Sequence, residues 1–211
     1  MEYILASKSP RRRELLGRLG IAFTVDPARG EELMRGGEPE EIVKNLARDK
    51  AGEVAARHVG AHAVVIGADT VVAVDGQILG KPKDRTEMKR MIMQLQNRTH
   101  EVYTGVAICY EKKMQTHCHT FAACTRVRFY PMTEEQMEDY ALHGDGLDKA
   151  GGYGIQSDAA VFIEGIEGDY NNVVGLPLAR LYHELLALGL TLPAKGACRG
   201  AGVKSNETHD T

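Results

Sequence analysis

The apolar positions of the chain recur with two different periods, which predict alternating helices and strands. Between residues 40 and 58 they recur at spacings of three and four, as is typical of a helix with one buried face. Residues 63–74 form a near-continuous apolar run, which predicts a strand buried on both faces. Asp75 and Gly76 then favour a two-residue hairpin turn into a short strand at 77–79. Together these patterns predict an α/β fold with a mixed sheet.

The remaining elements follow from the same patterns. Further strands are expected near 2–6, 21–26, 100–110, 114–130 and 159–164, and further helices near 10–19, 84–95, 134–142 and 176–189. The glycine-rich segment 144–156 is predicted to be an active-site loop. At 211 residues the chain can bury a full core, and we expect one domain spanning residues 1–192. Residues 193–211 contain few large apolar side chains and are predicted to form a disordered tail.

The overall charge and the cysteine content narrow the possible functions. The net charge is −3 and the isoelectric point about 6.2, so no global field favours nucleic acid or an acidic membrane. With no signal peptide and no apolar run of transmembrane length, we expect a cytoplasmic protein without nucleic-acid or membrane partners. The four cysteines lack paired spacing, which indicates neither a zinc site nor a disulfide framework. His117 and His119, which flank Cys118, are expected to be ordinary strand side chains.

The first candidate site is a basic turn near the N-terminus. Ser9 suits a helix N-cap and Pro10 the first helical position, and Arg11, Arg12 and Arg13 follow directly. Arginines in a first turn oppose the helix dipole. Backbone N–H groups, the dipole and guanidinium groups together can nevertheless bind a polyanion. The segment is therefore either an anion site or a solvated basic turn.

Two lysines and an aspartate are the next candidates. Lys50 lies in the apolar stripe of the long helix and either extends past the core edge to solvent or points into a cleft. Asp69 ends the buried run of the long strand, where a carboxylate suits a general base or a metal ligand, or simply caps a turn. The hairpin register places Lys81 at the same end of the sheet. With Arg11 and Arg12, these residues indicate a site for a polyphosphate held with Mg²⁺.

The segment 148–156 offers groups that suit a nucleobase. Gly151, Gly152 and Gly154 allow the backbone to approach a flat ligand closely. The amide of Gln156 supplies both a donor and an acceptor, as a nucleobase edge requires. The same composition is compatible with a simple turn. The chain has neither the P-loop nor the dinucleotide-binding motif.

Several separate segments resemble, in order and in spacing, the Maf family of nucleotide pyrophosphatases. They are residues 5–16, 67–72, 79–82, 100–106, 148–156 and 173–177, and the resemblance covers roughly residues 3–190. It implies an α/β fold with a mixed sheet in two lobes around a central cleft, related to the inosine-triphosphate pyrophosphatases. It also implies hydrolysis of a nucleoside triphosphate to the monophosphate and pyrophosphate, with a divalent cation (Mg²⁺ or Mn²⁺).

The resemblance assigns roles to particular residues. The proton acceptor of the family matches Asp69, and its phosphate-contacting lysines match Lys50 and Lys81. An acidic residue after the second strand is expected to hold the metal with Asp69, and the candidates are Glu31 and Glu32. The substrate-binding residues expected from the resemblance are Ser7, Arg11, Arg12, Lys50, Thr70, Lys81 and Gln156.

Within the family, segment 148–156 resembles the branch that acts on dTTP and UTP. Arg11, Thr70 and Gln156 match positions associated with that specificity. A homodimer is expected from the resemblance alone. Because relatives have been linked to inhibition of septum formation, the alternative is a non-catalytic nucleotide-binding protein acting in cell division.

Overall fold

The computed structural model describes residues 1–30 and 36–190, which contain a seven-stranded sheet with helices on both faces. The strands are β1 Glu2–Leu5, β2 Phe23–Val25, β3 Ala63–Val74, β4 Gln77–Leu79, β5 Thr99–Lys112, β6 Gln115–Phe129 and β7 Ile163–Glu167. The α-helices are α1 Pro10–Gly17, α2 Pro39–Arg57, α3 Arg85–Leu95, α4 Glu134–His143, α5 Tyr170–Val174 and α6 Leu178–Ala187. The predicted elements are confirmed, within a few residues at their ends, from β1 to α4.

The sheet is mixed, as predicted. Its strands lie in the order β2-β1-β3-β5-β6-β7, and β4 also pairs with β3. β1 is parallel to β2 and β3, whereas all the other pairs are antiparallel. Asp75 and Gly76 have φ of 50° and 73°, so both residues of the hairpin turn have the positive φ that a type I′ turn requires. Val72 lies opposite Leu79 in the expected register.

One edge of β3 is left open between two short neighbours. β1 pairs with β3 at residues 63–66, and β4 pairs with it at 72–74. On this edge residues 67–71 have no strand partner in the part of the chain that the structure describes, while β5 continues along the other edge. Because β1 runs parallel to β3 and β4 antiparallel to it, both strands end at this gap. The loops that follow them therefore converge beside Asp69 and Thr70.

The apolar core surrounds the gap as two clusters on one face of the sheet. Val64 and Ile66 pack with α1 and α6 at one end of β3. Val72 and Val74 pack with α3 and α4 at the other end. Helix α2 packs on the opposite face, against side chains such as Val65. The long strands β3, β5 and β6 therefore run through both lobes, and the gap lies between the lobes.

The C-terminal third differs from the sequence-based prediction. The strand predicted at 159–164 is misplaced, since a 3-10 helix precedes β7 and β7 begins at Ile163. The helix predicted at 176–189 is confirmed as α6, but the short helix α5 that precedes it was not predicted. Gly175, with a φ of 122°, ends α5, and Pro177 precedes α6. A helix as short as α5 has too few residues to show a hydrophobic period.

The cysteines also need correction. Cys109 on β5 and Cys118 on β6 lie opposite each other and form a disulfide, so the expectation of no disulfide is wrong. Their pairing follows from the register of two long strands, which the spacing of the cysteines does not reveal. The neighbouring histidines are ordinary strand side chains, as expected. His119 Nε2 lies 2.8 Å from a carboxylate oxygen of Glu184, and His117 stacks on a tyrosine of β5.

Some predictions concern residues beyond those that the structure describes. Both candidate metal ligands of the second loop, Glu31 and Glu32, and the predicted tail at 193–211 lie outside the described residues. Within residues 1–30 and 36–190, no helix is both long and apolar enough to cross a membrane.

Candidate active site

The gap between β1 and β4 along the edge of β3 opens into a cleft of about 410 Å³. This volume is within the range of small-molecule sites (~300–1,000 Å³). Its walls come from the β1–α1 turn, α2, β3, the loop after β4, the glycine-rich loop and the α5–α6 turn. The lining includes the sequence-predicted residues Ser7, Arg11, Arg12, Lys50, Asp69, Thr70, Lys81 and Gln156. The structure thus brings together candidates that are widely separated in the sequence.

Asp69 and Lys50 form an ion pair at the base of the cleft. Two glycines let α2 approach the sheet closely enough for this contact: a Cβ at Gly67 would lie 2.6 Å from the carbonyl oxygen of Ala47, and one at Gly105 would lie 2.2 Å from that of Val43. Helix α2 therefore lies almost directly on the backbone of β3 and β5. Of the two alternatives predicted for Lys50, the structure shows the second, because the side chain points into the cleft.

The basic turn is organised by its two serines. Ser9 is the N-cap of α1 and its hydroxyl accepts a hydrogen bond from the Arg12 backbone N–H at 3.4 Å, as predicted. The Ser7 hydroxyl accepts from the Ser9 backbone N–H at 3.2 Å and from Arg12 Nη1 at 3.4 Å. These bonds hold the turn against the end of β1, with Pro10 and the arginines at the start of α1.

Arg12 connects three parts of the fold. Its Nε donates to the carbonyl oxygen of Gly175 at 2.8 Å, and its Nη2 donates to Thr70 Oγ1 at 2.9 Å. With Ser7, the guanidinium thus has partners in the β1–α1 turn, in β3 and in the α5–α6 turn. Its position is set by several partners, which suits a cation that must meet a ligand in one orientation. Sequence reasoning did not find the contact with Gly175, because that contact depends on where the unpredicted helix α5 ends.

Arg11 reaches across the mouth of the cleft. Its Nη1 donates to Asp148 Oδ2 at 3.1 Å, and the Lys149 ammonium lies 2.7 Å from Asp148 Oδ1 and 2.9 Å from Asp145 Oδ2. Burial alone raises the pKa of the Asp148 carboxyl, but the hydrogen bond with Lys149 and the charge of Arg11 outweigh it and hold that pKa below its usual range. Because Asp148 is mostly exposed, this ion pair is weak enough to be exchanged for ligand contacts.

The glycine-rich loop is held by contacts with β3 and with the loop after β4. The Gly151 backbone N–H donates to the carbonyl oxygen of Gly80 at 2.9 Å, which joins this loop to the one that carries Lys81. Gly151 has a φ of 71°, and a Cβ there would lie 2.8 Å from a methyl carbon of Val72, so both conformation and space favour glycine. The two loops are therefore held in a defined position relative to each other, beside the cleft.

Sequence reasoning missed His100, which anchors the same loop. The ring is fully buried, and its Nε2 lies 2.7 Å from the hydroxyl of Tyr153, which lines the cleft. Burial lowers the pKa of His100 to about 4, so the imidazole is neutral at physiological pH. A histidine in a strand whose alternate residues are apolar is the signal that could have indicated a buried polar anchor.

A metal would find one carboxylate at the base of this cleft. No group of three or more histidine, cysteine, aspartate or glutamate side chains in the described ranges could hold an ion. Mg²⁺ is commonly held by one or two carboxylates together with substrate phosphates. Asp69 beside an open, cation-lined cleft fits that donor set, with the phosphates supplied by the ligand.

The fold and the site define an α/β protein with a cation-lined cleft between two lobes. The chain belongs to the Maf family, since the family described as "Maf-like protein" matches residues 2–188. A dTTP/UTP pyrophosphatase of Agathobacter rectalis is 50% identical, with 90% of this chain and 98% of the relative covered. Proteins of the same name from Bacillus cytotoxicus (47% identical, 87% and 94% covered) and Symbiobacterium thermophilum (46% identical, 93% and 98% covered) are also similar.

Two solved structures are similar to the chain, each with a TM-score below 0.5. The Staphylococcus aureus Ham1 protein has a TM-score of 0.43 at 16% identity, covering 61% of this chain and 72% of its own. A dITP/XTP pyrophosphatase from Mycobacterium abscessus has a TM-score of 0.44 at 13% identity, covering 90% and 93%.

Proposed function

We propose that the protein is a nucleoside triphosphate pyrophosphatase that hydrolyses dTTP and UTP to the monophosphate and pyrophosphate. Relatives that are 46% to 50% identical over most of the chain carry the name of this activity. The observation that carries the proposal here is the position of Asp69, which lies in the gap of β3 at the base of a cleft lined by Lys50, Lys81, Arg11 and Arg12. The non-catalytic role in cell division has no specific observation in its favour.

Asp69 is buried on β3, where it lies opposite Gly105 of β5, and a side chain held by a paired strand suits a general base. In the proposed reaction the Asp69 carboxylate takes a proton from a water molecule while the oxygen of that water forms a bond to the α-phosphorus. The bond between the α-phosphorus and the bridging oxygen breaks, and the electron pair leaves with pyrophosphate. Since Lys50 pairs with Asp69 in the ligand-free chain, the triphosphate has to draw the ammonium group toward a phosphate oxygen as it binds.

The cations of the cleft neutralise the charge that develops on pyrophosphate. Lys50 contributes from α2, Lys81 from the loop after β4, and Arg12 from the start of α1. We propose that Asp69, with Glu31 or Glu32, holds Mg²⁺ or Mn²⁺ together with the substrate phosphates. A bound divalent cation supplies Lewis-acid stabilisation of phosphate charge.

The base is proposed to lie against the glycine-rich loop. The imide edge of thymine or uracil has both a donor and an acceptor, and the amide of Gln156 can satisfy both. Arg11 and Thr70 line the same cleft and are proposed to contribute to the choice of substrate. Two further properties stay predictions. The homodimer is expected from the resemblance, and light scattering would test it. The cytoplasmic location is expected from the sequence pattern.

The first test is the variant Asp69→Asn, assayed for pyrophosphate release from a panel of nucleoside triphosphates with Mg²⁺ or Mn²⁺. We expect a loss of about 10²–10⁴-fold in kcat for dTTP and UTP, because an amide cannot act as the general base. Unfolding should remain cooperative and nucleotide binding should largely persist. The matched control is Asp139→Asn on the exposed face of α4, which should keep wild-type turnover. Near-normal turnover by Asp69→Asn would exclude the assigned role.

A further inference from the structure

A pair of hydrogen-bonded hydroxyl groups leads from the cleft into the sheet. Thr70 on β3 lies directly opposite Thr104 on β5, and their Oγ1 atoms are 2.9 Å apart. Thr104 Oγ1 also lies 2.9 Å from the main-chain carbonyl oxygen of Asn172 in α5, to which it donates. Thr104 and Asn172 are both fully buried. Thr70 thus lies between the cleft on one side and Thr104 on the other.

The direction of each of these hydrogen bonds follows from the number of protons. A hydroxyl group has one proton to donate, and a carbonyl oxygen can only accept. Thr104 donates its proton to the carbonyl of Asn172, so the bond between the two threonines is donated by Thr70. Since Arg12 Nη2 donates to Thr70 Oγ1 at 2.9 Å, all the bonds point the same way, from the guanidinium inward.

This direction determines what Thr70 can offer in the cleft. Its only proton is used inside the sheet, so toward the cleft the oxygen presents lone pairs alone. It can therefore accept from the guanidinium of Arg12 and from a donor group of a ligand, but it cannot donate to either. A Thr70 hydroxyl that turned its proton toward Arg12 would repel the positively charged guanidinium instead of accepting a hydrogen bond from it.

We propose that Thr104 is a positioning residue for the cleft: by accepting the proton of Thr70, it keeps Thr70 as an acceptor and so holds the guanidinium of Arg12 in its ligand-binding orientation. Thr104 does not line the cleft itself and acts through Thr70. The proposal rests on the proposed function in so far as Arg12 meets the triphosphate.

Thr104→Val tests the proposal, because valine has a similar shape but neither donates nor accepts. Thr104→Ser keeps the hydroxyl and should restore the hydrogen bonds. The matched control is Thr125→Val: Thr125 is equally buried, donates to the carbonyl of Asp169 at 3.0 Å and accepts from the Asn172 amide at 3.0 Å, but has no bond to Thr70. Both valine variants therefore lose two buried hydrogen bonds beside α5.

We expect Thr104→Val to lower kcat/KM for dTTP by about tenfold, mainly through KM, as fits the loss of hydrogen bonds that orient a charged group. Thr104→Ser should stay within about threefold of wild type. Thr125→Val should lower the melting temperature as much as Thr104→Val does but keep the wild-type kcat/KM. If both valine variants lose activity equally, or if folded Thr104→Val is fully active, the positioning role is wrong.

A second readout separates this proposal from the proposed function. The affinity of the same proteins for inorganic pyrophosphate is measured by calorimetry, which needs no turnover. Weaker binding by Thr104→Val, restored in Thr104→Ser, supports the positioning role even if the wild type hydrolyses no nucleotide. Turnover of dTTP by the wild type with unchanged pyrophosphate affinity and unchanged KM in Thr104→Val supports the enzyme and overturns the positioning role. If the wild type neither hydrolyses nucleotides nor binds pyrophosphate, both proposals fail.

Discussion

At the scale of single residues, the cleft separates a set of cationic side chains from one neutral amide. The cations lie around Asp69 and at the start of α1, whereas Gln156 lies on the glycine-rich loop and is exposed. An exposed amide contributes little to folding, so its substitution should change ligand choice with little effect on stability. This makes the role of Gln156 simple to isolate.

Gln156→Ala should lower the preference for dTTP over GTP by about tenfold, because two neutral hydrogen bonds to the base edge are lost. kcat/KM for both nucleotides is the measurement, and thermal unfolding checks that the fold is kept. Gln156→Glu retains the acceptor atoms and removes the amide donor, so it should also lower kcat/KM for dTTP. An unchanged ratio of dTTP to GTP in the alanine variant would contradict the assignment.

At the scale of elements, the close approach of α2 to the sheet determines where Lys50 lies. The approach depends on glycines in the strands, and a Cβ at Gly105 would lie 2.2 Å from the main-chain oxygen of Val43. Neither atom is at the end of a flexible side chain, so the helix or the strand has to move. The ion pair between α2 and Asp69 would then move with it.

Gly105→Ala should therefore destabilise the protein by about 1–3 kcal/mol, as overpacking does, and should also lower dTTP turnover. Denaturant unfolding and pyrophosphate release measure the two effects. Gly52→Ala on α2 is the control, since a Cβ there meets nothing within 4 Å. It should stabilise by about 0.5–1 kcal/mol because alanine favours the helix. Equal behaviour of the two variants would refute the close-packing argument.

At the scale of the whole molecule, two core clusters share continuous strands. β3, β5 and β6 pass through both lobes, so neither lobe has a sheet of its own. The lobes should therefore unfold together. A ligand that contacts both sides of the cleft should stabilise both at once.

Addition of dTTP to the inactive Asp69→Asn variant should raise the temperature of a single melting transition. At a ligand concentration of 100 Kd, the free energy of unfolding should increase by about 2.7 kcal/mol. Lys81→Ala should reduce this shift, because it removes a cation from the cleft. Arg126→Ala, in the pair with Glu167 on the far edge of the sheet, should leave the shift intact. Two separate transitions, of which only one responds to dTTP, would contradict the shared-strand description.

An element could be predicted from the sequence when the interactions that form it are between residues close together in the chain. α2 and β3 were predicted closely because their periods repeat over 19 and 12 residues. The cap at Ser9 and the turn at Asp75 depend only on neighbouring residues and were also found. By contrast, the disulfide depends on the register of two strands, and α5, with 5 residues, was too short to detect.

The sequence by itself determined the mixed α/β elements, the caps and turns, and the types of side chain that a polyphosphate site needs, since these depend on local periodicity and residue chemistry. Only the tertiary structure decided that residues 67–71 of β3 lack a strand partner on one edge among the described residues, and that the candidates converge there. It alone joined Arg12 to Thr70 and Thr70 to Thr104. Such contacts depend on how close distant backbones come, and that distance is set by packing across the whole sheet.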